Sequence, residues 1–253
     1  MRDKIFAITP PHDILLALST LSRLPVRVDH TQAANRGVNM VWAFPLVGAV
    51  IGLIASGVAA ALQALFLPSG FLAALILATM IACTGAMHED GLADTFDGLW
   101  GGFTPERRLE IMKDSRIGVY GMLALCLMVL AQWSLLEPLS ATTLIGPLIV
   151  TATLSRLAMV WAMWLLPNAR QDGLSASFGR PDFSYVAIAT LLALGIAVIS
   201  LGWVGLLIAL VALGTALPIL LIAWYKIEGQ TGDILGASQK FAELGALIAI
   251  ISI

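Results

Sequence analysis

The chain is short of charge. Lysine and arginine supply 14 of its 253 residues and aspartate and glutamate 16, together 12%, roughly half the share a water-soluble domain carries. With 59% hydrophobic residues and a mean hydropathy of +0.92, a soluble fold is excluded. A formal net charge of −2 leaves no basic field for a phosphodiester backbone, so nucleic acid is excluded as a partner. Cysteine is almost absent. Cys83 and Cys126 each sit in an apolar run without CxxC or Cys/His spacing, which rules out a disulfide framework and a zinc site. Met1–Leu24 lacks a small-residue cleavage pattern and reads as a retained amphipathic segment at the membrane surface. No repeat, low-complexity tract or long polar linker divides the chain, so residues 1–253 are read as one membrane-embedded domain.

A bilayer core about 30 Å thick needs about 20 apolar residues in helical form. Seven stretches approach this: 40–66, 70–87, 117–136, 140–166, 184–200, 202–224 and 234–253. The expected fold is therefore all-α and polytopic, with about seven transmembrane helices. Arg2, Lys4, Arg23, Arg27 and Arg36 precede the first stretch; Arg107, Arg108, Lys113 and Arg116 follow the second; Arg170 and Arg180 follow the fourth; Lys226 follows the sixth. The intervening turns at 68–70, 137–139 and 201–202 hold no lysine or arginine. Cationic loops alternating with uncharged ones place the long loops in the cytoplasm, including loop helices between the second and third spans. Only Arg156, Lys240 and Glu243 fall inside spans; Arg156 reads either as a snorkelling side chain or as a phosphate ligand. Gly48, Gly52 and Gly57 suit close packing within one chain or between subunits, so a homo-oligomer stays open.

Seven of the sixteen acids crowd between positions 89 and 114. Asp90, Asp94 and Asp97 recur at i, i+4 and i+7, which puts them within about 60° of one another around a helix. A stripe of like charge repels itself unless a cation sits on it, and all-oxygen ligation favours Mg²⁺ or Mn²⁺. A merely solvated acidic face is the plainer reading, but Gly91, Gly98, Gly101 and Gly102 would be costly in a helix kept for solubility. Thr104 and Pro105 read as N-cap and first residue of a second loop helix. There Arg107, Glu110 and Asp114 share a face suited to ordinary ion pairing, while Lys113 and Arg116 suit an anion such as a pyrophosphate. The polar segment 168–180 suits a loop covering a substrate. In Gly229-Gln230-Thr231-Gly232-Asp233, either Thr231 or Asp233 caps the last span, or the glycines admit a ligand and Asp233 joins the site. His30 and His88 are read as structural.

The strings HEDGLADTFDG (88–98), RRLEIMKDSRIGVYG (107–121) and GQTGDILGA (229–237), with RGVNMVWAFPLVG (36–48), together resemble the cobalamin-5′-phosphate synthase family, the adenosylcobinamide-GDP ribazoletransferases. The likeness runs from about Leu21 to about Ala246. It implies a transferase of the bacterial inner membrane in vitamin B12 assembly, joining adenosylcobinamide-GDP to α-ribazole or its 5′-phosphate with Mg²⁺ and release of GMP, among membrane lipids. It also implies the site. Asp90, Asp94 and Asp97 carry the acidic motif, with Glu89 beside them as a fourth candidate ligand; Lys113 and Asp114 belong to the second motif and Gln230, Thr231 and Asp233 to the third. Arg107, Lys113 and Arg116 are candidate phosphate contacts, and Asp90, Asp94 and Asp114 the candidate catalytic acids, with Asp94 or Asp114 as base. Asp94-Thr95-Phe96-Asp97-Gly98 also echoes the opening of the CDP-alcohol phosphotransferase signature, whose remainder is missing; a phospholipid synthase of that kind is the nearest alternative. A cation transporter is more remote, because transport carboxylates belong near mid-membrane.

Overall fold

The computed structural model describes residues 10–28, 36–139, 144–170 and 179–253. Among these residues there are ten α-helices, one 3-10 turn and no strand. Six helical segments are long and apolar enough to cross a bilayer: a 3-10 turn, Gly37–Ala43, running into α2 (Phe44–Gln63); α6 (Val119–Leu139); α7 (Ile145–Leu165); α8 (Phe183–Leu201); α9 (Val204–Ile227); and α10 (Gly232–Ile251). The expected span at 70–87 is α3 (Ser69–Thr84), which passes the same test only together with α4 (Met87–Gly101), from which it is bent by 87°. Sixteen residues of α3 rise about 24 Å, a little short of the apolar core. The chain then turns sideways through Gly85 and Ala86, both left-handed at φ +65° and +60°. The acidic stretch is a loop by hydropathy, yet α4 packs inward against α6 and α10 with Gly91, Leu92, Thr95 and Leu99 buried.

Two shorter helices complete the set, α1 (His12–Leu21) and α5 (Pro105–Ile111). Of the expected amphipathic N-terminal segment, residues 1–9 lie outside the described residues. The described part packs on α2 and the 3-10 turn, and its Asp13 is wholly buried. That carboxylate accepts from Arg36 Nη2 at 2.6 Å and from Trp42 Nε1 at 2.8 Å, so a charge brought into an apolar contact is compensated twice.

Helices α7 and α10 are the most buried spans. Helix α7 lies between α2, α8 and α10, and α10 between α7, α9 and α4. Their interface is polar. Lys240 Nζ donates to Glu243 Oε2 and to Glu89 Oε1, each at 2.9 Å. Gln239 Nε2 bridges Glu243 and Ser155, and Arg156 Nη1 donates to Ser155 Oγ at 3.0 Å. Arg156 is only 2% exposed; it neither snorkels nor reaches a solvent-facing site, but lies in this network. With no water in the bilayer core, such groups hold one another and thereby hold α4, α7 and α10 in register.

Without a hydrophobic drive between helices in lipid, close packing needs small residues at the crossings. A Cβ on Gly48 would fall 2.2 Å from the Ala152 carbonyl oxygen, and one on Gly52 2.5 Å from that of Leu148. Both glycines therefore serve contact within the chain, between α2 and α7. Gly57 faces open space, with nothing within 4 Å of such an atom. Gly48→Ala should cost about 1–3 kcal/mol of stability, the usual toll of overpacking, whereas Gly57→Ala should leave it unchanged or slightly higher; thermal unfolding of the detergent-purified protein reads both.

Candidate active site

The acidic helix meets the third motif through its glycines. A Cβ on Gly91 would lie 3.0 Å from the Asp233 carbonyl oxygen, and one on Gly236 3.3 Å from the His88 Cα. Only at this backbone-to-backbone distance do the start of α10 and the first turns of α4 share one surface. Asp233 thereby joins Asp90 and Asp94, and its charge bears on the Asp94 carboxyl. Thr231 is the N-cap of α10, its Oγ1 accepting from the Ile234 N–H at 3.3 Å and donating to Asp233 Oδ2 at 3.0 Å. Arg170 Nη2 reaches the same oxygen at 3.3 Å. Gln230 is buried; its side-chain amide donates to Asn168, and its backbone pairs with Pro167 and Ala169. This small bridge ties the segment after α7 to the segment before α10 and sets Arg170 beside Asp233. Of the expected covering loop, residues 171–178 lie outside the described residues, as does His30.

The four candidate metal ligands on α4 divide into two pairs. Asp90 is exposed and Asp94 half-buried one turn on. Burial first, then the charges of Asp233, Asp90 and Asp97, push the Asp94 carboxyl up to about 7, against a smaller opposing pull from Arg170. Asp97 is engaged elsewhere: its carboxylate accepts from the backbone N–H groups of Gly118 at 2.7 Å and Gly121 at 2.9 Å. It fills the place where a Cβ on either glycine would sit, and so caps the N-terminus of α6 as a helix dipole favours. Glu89 is engaged by Lys240, whose Nζ lies 2.9 Å from its Oε1.

In the second motif Thr104 caps α5, accepting from the Arg107 N–H at 3.3 Å. Arg107 pairs with Glu110 at 2.9 Å, and both side chains are largely exposed. Asp114 is held by Arg116 at 2.6 Å, which draws its carboxyl down to about 2. Arg108, read from sequence only as a loop cation, donates to the Gly102 and Lys226 carbonyls, and Lys226 to the Leu99 carbonyl; together they pin α5 and the end of α4 to α9.

These pieces enclose two cavities with Asp90 on the wall of each. One, of about 470 Å³, is bordered by Glu89, Asp90, Asp94, Lys113 and Asp114 and joins the first motif to the second. The other, of about 210 Å³, reaches between α1, α2, α4, α7 and α10; Asp90, Gly91, Arg170, Asp233 and Gly236 join the first motif to the third. Arg170 gave no sequence signal beyond its place in a polar loop, because its partner lies 63 positions away. The pairing of Lys240 with Glu89 was foreshadowed only by a lysine standing inside an apolar span.

Fold and site define a polytopic α-helical membrane protein whose three polar motifs converge around an acidic helix at the end of a broken span. Residues 13–251 match the family described as cobalamin-5-phosphate synthase. Curated relatives named adenosylcobinamide-GDP ribazoletransferase include those of Bradyrhizobium diazoefficiens, 42% identical over 93% of this chain and 92% of its own length, Sinorhizobium medicae, 41% over 94% and 95%, and Brucella ovis, 37% over 94% and 96%. No solved structure matches the chain. The protein belongs to the cobalamin-5-phosphate synthase family.

A divalent cation suits part of the acidic set. Among the described residues no three His, Cys, Asp or Glu side chains form a group able to hold a metal by themselves. Mg²⁺ does not ask for one, since it is commonly held by one or two carboxylates together with waters and substrate phosphates. Asp90 offers an exposed carboxylate of that kind, and a cation held there would offset the charge that Asp90, after burial and Asp233, adds to the pressure on Asp94. In metal-free protein, the folded state binds a proton at Asp94 more tightly than the unfolded chain does. The resulting instability is absent below about pH 4, grows as pH rises, and is complete above about pH 7. Asp94→Asn should therefore raise the melting temperature in EDTA, and by more at pH 8 than at pH 5. Asp97→Asn should lower it at both, by the equivalent of about 1.5–3 kcal/mol for a lost charged hydrogen bond.

Proposed function

We infer that the protein is an adenosylcobinamide-GDP ribazoletransferase of cobalamin synthesis, multi-pass in the bacterial inner membrane with its motif loops toward the cytoplasm. The observation that carries this is the convergence of the three motifs on two cavities with one shared aspartate, in a chain aligned over 93% of its length to a relative of that name. A two-substrate displacement needs its reacting groups held side by side, and adjoining cavities with a common wall suit that. The comparisons favour neither a phospholipid synthase nor a cation transporter. The strict alternation of cationic and uncharged loops supports the cytoplasmic orientation.

In this reading the acceptor is α-ribazole or its 5′-phosphate. Its hydroxyl oxygen forms a bond to the phosphorus attached to cobinamide, the bond from that phosphorus to the GMP oxygen breaks, and the hydroxyl proton passes to a carboxylate. Asp114 is a poor acceptor while Arg116 holds it near 2. Asp94, one turn from Asp90 on the wall of the larger cavity, has the position for the task. Lys113 borders the same cavity and orients phosphate oxygens, as a mobile ammonium does well. Asp90 with the substrate phosphates would hold Mg²⁺ or Mn²⁺, which when bound supplies charge neutralisation for the departing GMP. Arg107 and Arg116, paired and exposed, serve the approach of the anionic donor more than its final placement.

The test is product formation by the purified protein in lipid nanodiscs, given adenosylcobinamide-GDP, α-ribazole and Mg²⁺, against CDP-diacylglycerol as the rival donor. Adenosylcobalamin and GMP should appear only with the first donor; turnover of the second alone would refute the assignment. Asp94→Asn should lower kcat by about 10²–10⁴, the usual worth of a general base, with both KM values near wild type. Asp90→Asn should instead raise the Mg²⁺ concentration needed for half-maximal rate, and Asp114→Asn should lower kcat less than tenfold.

A further inference from the structure

Away from the acidic helix, the packing of the spans is left open at one place. Helices α8 and α9 meet closely beside the turn that joins them, where a Cβ on Gly205 would lie 2.5 Å from the Ala197 carbonyl oxygen. Further along α9 the packing opens, and a Cβ on Gly214 would meet nothing within 4 Å. A groove of about 340 Å³ lies there, walled by Trp161 and Leu165 of α7 and by Leu210, Gly214, Leu217 and Leu220 of α9. It shares no lining residue with either cavity at Asp90. Its lining is apolar throughout, since the one polar side-chain atom, Trp161 Nε1, is turned to α8 and donates to Thr190 Oγ1 at 3.1 Å.

Three properties narrow what fills it. A lining with no polar group to offer keeps water out, and left empty it forfeits the dispersion contacts that a close-packed interior makes. From Leu210 to Leu220 is about 15 Å along the helix axis, and 340 Å³ drawn out over that length has the girth of one hydrocarbon chain. A helix from a second copy, about 10 Å across with its side chains, is too thick. The third property is a charged mouth. Trp161 stands edge-on to Trp164, with ring centroids 5.7 Å apart; the Arg180 guanidinium lies 5.7 Å from the centre of the Trp164 ring, and its Nε donates to the Trp164 carbonyl at 2.7 Å. Trp164 and Leu165 end α7, and Arg180 leads into α8. Arginine and tryptophan therefore meet at the end of two spans, the level at which lipid headgroups lie. Asp182, exposed two residues on, offsets the arginine, so the mouth favours a phosphate without favouring a lipid of net negative charge.

We propose that this groove binds one acyl chain of a membrane phospholipid, whose phosphodiester pairs with Arg180. The chain lies between α7 and α9 and fills the space beside Gly214, while the second chain stays in the surrounding bilayer. A guanidinium presents its donors as a planar fork that fits two phosphate oxygens at once, and Trp164 holds that fork at the mouth. The segment that leaves α7 beside this mouth carries Arg170, which pairs with Asp233. The bound lipid thus borders the support of the acidic site while touching no reacting atom.

Native mass spectrometry of the delipidated protein in dodecyl maltoside, titrated with palmitoyl-oleoyl phosphatidylethanolamine, tests this. The first lipid should bind at least tenfold more tightly than the second. Palmitoyl-oleoyl glycerol, which has the same chains and no phosphate, should bind at least tenfold more weakly than the phospholipid. Gly214→Phe puts a ring into the groove and should abolish the tight first event. Arg180→Gln should weaken the phospholipid at least fivefold and leave palmitoyl-oleoyl glycerol unchanged within twofold. If Gly214→Phe does not fold, the wild-type comparison of the two lipids and the Arg180→Gln variant decide the matter. Equal binding of the two lipids by wild-type protein would overturn the proposal, as would a tight first event that survives in Gly214→Phe. A wild-type dimer that Gly214→Phe turns into a monomer would assign the groove to a second copy of the chain and overturn it too.

Discussion

Carboxylates on separate helices meet only if the helix backbones come close enough, and here that approach is made where α4 crosses α10 at Gly91 and Gly236. A side chain at either position would push Asp233 away from Asp90 and Asp94 and part the walls of the smaller cavity. Most of what surrounds the site follows from keeping this crossing shut. Lys240, on α10 just beyond it, reaches back to Glu89; Thr231 fixes where α10 begins; Gln230 anchors the residues before it to the segment after α7.

The crossing also explains why a helix so acidic is not simply solvated. Helix α4 turns one side to α10 and α6, burying leucines and glycines, and keeps Asp90 exposed. Its ends are secured by opposite means. Near its start, Glu89 is neutralised by a lysine from a span; near its finish, Asp97 is neutralised by backbone dipoles at the start of α6. Acids that are paired inside the fold leave Asp94 as the carboxyl under pressure, first from burial and then from the charges of Asp233, Asp90 and Asp97, with Arg170 opposing them only in part. A carboxyl perturbed by burial and neighbouring charge marks a functional site, and Mg²⁺ is commonly held by one or two carboxylates together with substrate phosphates.

Much of this was legible in the sequence. Spans follow from hydropathy, the caps Thr104 and Thr231 from residue type, and the family from four strings in order. The division of labour among the acids was not legible, because at i, i+4 and i+7 Asp97 looks equivalent to Asp90 and Asp94. What separates it is a contact with two glycines 21 and 24 positions later, and helical periodicity says nothing about contacts across the fold. Glu89 is separated likewise by a lysine 151 positions on. Arg156 sat where hydropathy allowed two readings, and the polar surface of α10 facing it decided for neither. The sideways turn after Thr84 had a visible glycine but no visible angle; left-handed Ala86 is imposed by packing, not by preference.

The Lys240 to Glu89 link bears on how such a chain enters a membrane. A lysine at the centre of a helix costs about 2.5–3.5 kcal/mol to insert, and α10 carries Glu243 and Gln239 as well, so alone it is a reluctant membrane segment. Its compensating partners, Glu89 on α4 and Ser155 on α7, are synthesised earlier. The groups that neutralise it precede it in the chain, and in the folded protein the last span is surrounded by protein more than by lipid. The contact that shelters Lys240 and the crossing that brings Asp233 to Asp90 lie on the same two helices, α4 and α10, so a change to one bears on the other.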